Sequence, residues 1–391
     1  MTPEPQSEWP FGKGRFEELG RSLGKMFESA RSAGPLHWET ARRVAQWVAL
    51  TGRTEQPVAD VDAAQLRELA RVAQVHVAER TGLVSSLEPS VHVVGRSGWV
   101  ELNLESLGPT LERLSRALQA PPTSENVPEL AARAMLELQQ TVFPMVAGMQ
   151  AGVMVGYLAH HMLGQYDVPL PASGAPRLVF VVPNLDAFQE AWALERDDFR
   201  FYVALHEVVH ATVLAVPWVR EQLVQLVDRY VSAFEPDPNL LRGQFSSFDL
   251  SDQASMESLM ADPSDLLRAM RSPAQAAILP EIQILTTTLT GYTDAVIEQA
   301  GAPLIATFPM IREAMRRHRV ERGGADRFVG HLLGLEATRE HDEQGSAFAR
   351  GVIERAGLER LNRLWERETM LPTQSELEAP GLWLARIDLE D

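Results

Sequence analysis

The stretch from Val142 to Leu163, VFPMVAGMQAGVMVGYLAHHML, carries only Gln150, His160 and His161 as clearly polar side chains. A run so uniformly apolar has no face to offer to water, so it must be enclosed by protein or by lipid. Its length would cross a bilayer. Against a membrane stand the mid-segment Gln150, the adjacent histidines, the lack of Lys or Arg close to either end, and the lack of a second such run. Gly148, Gly152 and Gly156 recur every four residues, which puts them on one helix face and lets another helix approach closely there. The expected element is a buried central helix, with no membrane span. The first residues, MTPEPQSEWPFGKGRFEEL, show no cationic stretch followed by an apolar one, so no secretory signal is read and the expected location is cytoplasmic.

A chain of 391 residues with 45% hydrophobic side chains can enclose such a helix in a full core. The net charge of -17 argues against nucleic acid or an anionic membrane surface as a partner. Cys is absent, which removes disulfides, thiolate nucleophiles and Cys-based metal sites and leaves His, Asp and Glu as ligands. Most other segments read as helices. WETARRVAQWVAL, DAAQLRELARVAQVHVAERTGL and LNLESLGPTLERLSRALQA follow one another in the first part, and SVHVVGRSGWVELN is extended-looking with a Gly-containing turn at its middle. Residues 1–120 are expected to form an N-terminal helical subdomain. APPTSENVP, residues 120–128, is the candidate joint to a second unit, 121–391, packed as one body with the first.

In that second unit a Pro- and Gly-rich loop, LGQYDVPLPASGAP, leads to a short strand over Leu178–Val182, and Gln165-Tyr166-Asp167 reads as a loop anchor. A helix then starts near Asp197 or Asp198 and ends before Pro217. Further on, Pro273 and Pro280 are expected to break DPSDLLRAMRSPAQAAILPEIQILTTTLTGYTDAVIEQAG into two or three helices. The prolines of LPTQSELEAPGLWLARI are expected to leave an extended tail. The Trp residues at 99, 192, 218, 365 and 383 read as packing. The fold class expected is mainly α with a small β component.

His206-Glu207-Val208-Val209-His210 is an H-E-x-x-H pentapeptide inside the helix that follows the strand. Residues four apart on a helix project from one face, so two imidazoles there can share one Zn²⁺. The intervening Glu can take a proton from zinc-bound water, whose pKa falls to about 7. The competing reading is a pair of hydrogen-bonded histidines on a buried helix. His160 and His161 sit on the central helix and read more readily as hydrogen-bonded structure than as ligands. Tyr230 and Tyr292 are candidates for a hydrogen bond to an oxyanion, against the plainer reading as core aromatics.

Beyond the pentapeptide, the blocks RSGWVELN, GVMVGYLAHHMLGQYD, LVFVVPNL, FRFYVALHEVVHA, PWVREQL, SPAQ, LTGYTDAVIE and LNRLWERETMLPTQSELEAPGLWLARI resemble a bacterial family. These are zincin-like hydrolases, or zinc-dependent metalloproteases, of unknown substrate, some labelled as associated with deazaflavin coenzyme biosynthesis. The resemblance implies a zincin-like helical domain with a metal on the HEVVH helix, and a peptide or small-molecule substrate. It also exposes a departure. Where the family block reads L-E-G-H, with the Glu as third ligand, this chain has Leu289-Thr290-Gly291-Tyr292. A Thr hydroxyl is a poor zinc ligand beside a carboxylate, so zinc would bind weakly unless another group completes the site. Asp294, one turn beyond Thr290, is the substitute ligand, with Glu298 a turn further on and His318, His331 and His341 as spare candidates that otherwise read as exposed helix histidines. Three functional readings follow: a zinc-dependent metallohydrolase with Glu207 as general base, a catalytically impaired zincin-like binding or scaffold protein, and a helical scaffold whose pentapeptide is incidental.

Overall fold

The computed structural model describes residues 34–83, 89–118, 143–170, 174–234, 271–320, 324–336 and 338–389. The first elements are α1 (Trp38–Ala49), α2 (Asp60–Thr81), β1 (Ser90–Val94), α3 (Arg96–Leu118) and α4 (Phe143–His161). Strand β2 (Arg177–Val181) leads into α5 (Val182–Trp192), α6 (Arg196–Leu214) and α7 (Pro217–Ser232). Then come α8 (Pro273–Gly301), α9 (Phe308–Val320), α10 (Gly324–Leu333) and α11 (Arg339–Ala356), followed by the short α12 (Leu358–Asn362), α13 (Gln374–Glu378) and α14 (Pro380–Leu389). The architecture is mainly helical with one small parallel sheet, the class expected. Residues 120–128 lie outside the described residues.

The apolar run is α4, and protein encloses it. Its glycine stripe is spent on α1: a Cβ on Gly148, Gly152 or Gly156 would come closer than 3.0 Å to the carbonyl oxygens of His37, Ala41 and Ala45 respectively. The four-residue repeat on one helix thus meets a four-residue repeat on the other, and only a missing side chain allows so close an approach. No single helix among the described residues is long and apolar enough to cross a membrane; α6 and α7 reach that length only as a pair bent by 89°. Both line the core.

Strands β1 and β2 pair in parallel, Ser90 opposite Arg177 through Val94 opposite Val181. The extended reading of SVHVVGRSGWVELN holds only to Val94. Beyond Gly95 the chain turns directly into α3, because Glu55, 41 residues upstream, caps it: Arg96 N–H donates to Oε1 at 2.6 Å and Ser97 N–H to Oε2 at 3.1 Å. A carboxylate at a helix N-terminus satisfies orphan donors and favours the dipole. No local residue announces it.

Two proline-based expectations also fail, each for its own reason: Pro273 does stand at a helix boundary, but Pro280 breaks nothing, and residues 262–270 lie outside the described residues. Helix α8 runs unbroken for 29 residues past Pro280. A Ser272/Gln275 capping box fixes its start, and burial of Ile278, Leu279, Ile282 and Leu285 around the proline offsets an interior cost of about 3 kcal/mol. At the C-terminus Pro380 opens α14 rather than ending a helix, which is where proline's fixed φ suits helix geometry. Trp383 in α14 is fully buried and donates to Met370 O at 2.7 Å, so this tail is part of the core.

Candidate functional site

Helix α6 is capped two or three residues earlier than the expected Asp197 or Asp198: Glu195 is the N-cap and accepts from Asp198 N–H at 2.8 Å. Asp198 itself accepts from the Thr307 amide and hydroxyl at 2.8 and 2.7 Å, tying α6 to the start of α9. Burial on all sides of α6 places the motif in the interior, with His206 6%, Glu207 0% and His210 4% exposed.

The two imidazoles lie side by side, ring centroids 4.4 Å apart and planes inclined by 43°. His210 Nδ1 is 3.1 Å from the carbonyl oxygen of His206, so that nitrogen carries the proton as donor and Nε2 is left for another partner. Tyr166 stacks on the His210 ring at 5.7 Å. Burial holds the His210 pKa well below the ordinary range, and the charges of His206 and Arg319 act in the same direction. Both effects favour the neutral imidazole.

Glu207 turns elsewhere. Its Oε2 accepts from Gln165 N–H at 2.8 Å and, more loosely, from Val179 N–H at 3.5 Å, and its Oε1 accepts from Tyr166 N–H at 3.0 Å. The His206 Nδ1 to Oε1 distance is 3.8 Å, too long for a hydrogen bond. The carboxylate therefore clamps the 163–167 loop and β2 to α6. Gly164 makes room for it, since a Cβ there would come closer than 3.0 Å to the Glu207 carboxyl carbon. The loop is pinned from other sides as well. Trp99 Nε1 donates to Gly164 O at 2.9 Å, Gln165 Nε2 donates to Asn103 Oδ1 at 2.8 Å, and Asp167 accepts from the Leu163 and Gly164 amides. The anchor role expected for Gln165-Tyr166-Asp167 is what these bonds perform. Burial raises the Glu207 pKa, opposed by His206 and the Gln165 amide and reinforced by Asp167.

Asp294 is also committed. Arg319 of α9 donates from both terminal nitrogens to its two oxygens, at 2.9 and 2.8 Å, and Ser346 Oγ lies 3.4 Å from Oδ2. Thr290 is half-buried. Tyr292 is fully buried, donates to Asn362 Oδ1 at 2.8 Å and stands edge-on to Trp365, so its hydroxyl serves packing. Tyr230 donates to His331 O at 3.1 Å. Of the spare histidines, His318 meets Phe188 edge-on; His331 is buried against Glu336 at 2.6 Å, not exposed; His341 sits in the first turn of α11. His160 and His161 hydrogen-bond through Nδ1 to the carbonyls of Ala49 and Tyr157.

Two spaces adjoin the motif. A cavity of about 20 Å³ beside His206 is walled by His161, Asp167, Met315, His318 and Arg319, room for a single water. A cleft of about 680 Å³ between α8, α9 and α11 reaches Tyr202, one turn before His206 on α6, and Arg319 forms part of its wall too. Arg319 was not singled out in the sequence. It sits in an Arg-rich helix end, REAMRRHRV, in which nothing marks one guanidinium from the next.

Over residues 36–384 the chain matches the family described as zincin-like metallopeptidase. The chain belongs to that family. It is similar to the crystal structure of a "putative hydrolase with a novel fold" from Chloroflexus aurantiacus, with a TM-score of 0.66 and 25% identity over 90% of this chain and 99% of that one. Among curated proteins none matches. A zincin-like metallopeptidase would hold zinc on its H-E-x-x-H helix, and the donor chemistry here fits in part. Two imidazoles share a helix face, yet no three His, Asp or Glu side chains among the described residues converge as a metal-holding group. The two carboxylates that could complete or use such a centre are held by main-chain amides and by Arg319.

Proposed function

We propose that this chain keeps the zincin-like framework while using HEVVH for structure and for weak metal binding by His206 and His210, so that it acts as a binding protein and not as a hydrolase. The observation that carries this reading is the set of partners of Glu207. A general base must hold a free oxygen toward the reacting water, within about 2.6–3.2 Å. Swinging Glu207 there would strip acceptors from the buried amides of Gln165 and Tyr166, at about 1–3 kcal/mol for each. Zinc, when bound, would supply Lewis acidity and an acidified water; Glu207 as arranged does not serve that water.

The family supports a second reading, a zinc-dependent metallohydrolase acting on a peptide or small molecule, with Glu207 as base and Asp294 as third ligand. Glu207→Gln separates the two. Purified parent and variant are assayed on a broad peptide panel after zinc loading, alongside their unfolding free energies. The proposed reading expects equal, background hydrolysis and a less stable variant. Hydrolysis by the parent that vanishes in a fully folded E207Q would overturn it in favour of the hydrolase.

A further inference from the structure

His206 and His210 are buried, so anything that meets them from outside must cross a wall of packed side chains. Two spaces lie nearest. The small cavity beside His206 takes Met315, His318 and Arg319 from α9, and the large cleft takes Arg312, Arg316 and Arg319 from the same helix. Among the described residues, Arg319 alone lines both. Its head is held from the cleft side, where Asp294 accepts from both terminal nitrogens at 2.9 and 2.8 Å and Asp342 Oδ2 lies 3.8 Å from Nε. Its charge is felt along the α6 face that carries Tyr202, His206 and His210 at four-residue spacing. Burial lowers the His210 pKa and raises that of Tyr202, and the Arg319 charge adds to the first effect and opposes the second. We propose that the cleft between α8, α9 and α11 is the approach from solvent to the imidazole pair, and that the Arg319 side chain is the partition across it. The inference concerns access to the pair and goes beyond its use for metal.

What closes the way is bulk. A guanidinium fixed by a bidentate carboxylate fixes the stem behind it, and a packed stem leaves no passage for a molecule larger than water. Cutting the side chain back to Cβ joins cavity and cleft. Exchange for Met removes the charge, and with it both carboxylate contacts, but keeps most of the stem. Alanine and methionine at position 319 therefore share the ion-pair loss and differ chiefly in the space they fill. The cleft walls beyond the partition carry Glu298, Arg312, Asp342 and Glu343, so the molecule suited to this approach is small and polar.

The test is carbethoxylation of the full chain by diethyl pyrocarbonate at neutral pH, which modifies unprotonated imidazole nitrogen. Rates at His206 and His210 are read by peptide mass spectrometry against His160, whose Nδ1 bonds to Ala49 O. The parent and R319M should react slowly at His206, and R319A on the order of tenfold faster, as a local opening of the wall allows. The chain has no Cys, so A347C in the R319A background places a single thiol in the cleft wall for N-phenylmaleimide. The labelled protein should fall back to the parental rate. Should R319A fail to fold, the comparison moves to R319A/D294N against R319M/D294N, in which one charge of each sign is removed. A His206 rate in R319A no faster than in R319M overturns the partition, whether both are slow or both are fast, and so does fast modification of the parent. A rate that stays high once the maleimide fills the cleft overturns the cleft as the approach.

Discussion

Glu207 and Asp294 are the two carboxylates that the sequence assigns to one metal centre, and the fold gives them to different partners. Glu207 is sealed in the interior and serves main-chain amides of the 163–167 loop and β2. Asp294 lies at the wall of a solvent-connected cleft and serves Arg319, with about a fifth of its side chain exposed. The contrast teaches that a motif carboxylate is defined by what it faces. On the proposed reading the first is structural, accepting from the Gln165 and Tyr166 amides, while the second is an ion pair at the wall of a cleft.

Removing the Glu207 carboxylate should have the largest effect. Glu207→Leu leaves buried amides without an acceptor and should cost about 4 kcal/mol by denaturant unfolding, and E207Q about half as much, since one amide then faces an NH₂ group. A loss below about 1 kcal/mol for the Leu variant would erase the distinction between the two regions. Next comes Gly164→Ala, whose Cβ collides with the same carboxyl group; about 2 kcal/mol is expected. Its cost should be non-additive with E207Q and additive with D294N within about 0.5 kcal/mol, which a double-mutant cycle resolves. Asp294→Asn should cost about 1–2 kcal/mol, because its pair with Arg319 is only partly shielded from water.

The smallest expected effect is a pH slope on the buried side. Burial holds the His160 pKa down to about 4 from an ordinary 6.5, with Arg96 acting in the same direction. The unfolded chain takes up that proton first, so this contribution is fully present above pH 6.5 and is lost as pH falls toward 4. Unfolding measured between those limits should show a shallower decline in His160→Gln than in the parent. The raised pKa of Glu207 works the other way, its contribution declining as pH rises through the folded value.

The sequence reading caught features whose signal is local and repetitive. The glycine stripe foretold a closely packed neighbour for α4, though not that α1 would be the one. The short continuous apolar run Leu178–Val182 announced β2, and spacing put His206 and His210 together. It failed wherever the partner is remote. Glu55 capping α3, the three amides on Glu207, and Arg319 on Asp294 come from 41, 28 to 42 and 25 residues away, and no periodicity encodes such pairs. The prolines at 280 and 380 were misread because the rule that proline breaks helices depends on where in the helix it stands, and on what the surrounding packing returns. The helix α5, after β2, went unread although Pro183 near its start marks a helix beginning as readily as a strand ending.

Amide hydrogen exchange at Gln165 and Tyr166, compared between the parent and E207Q, reports most directly on what the motif carboxylate does. If Glu207 is the acceptor that holds this loop, both amides exchange slowly in the parent and at least tenfold faster in the variant, while amides beside Asp294 on α8 keep their rates. Unchanged exchange at Gln165 and Tyr166 would contradict the structural role and return Glu207 to the metal.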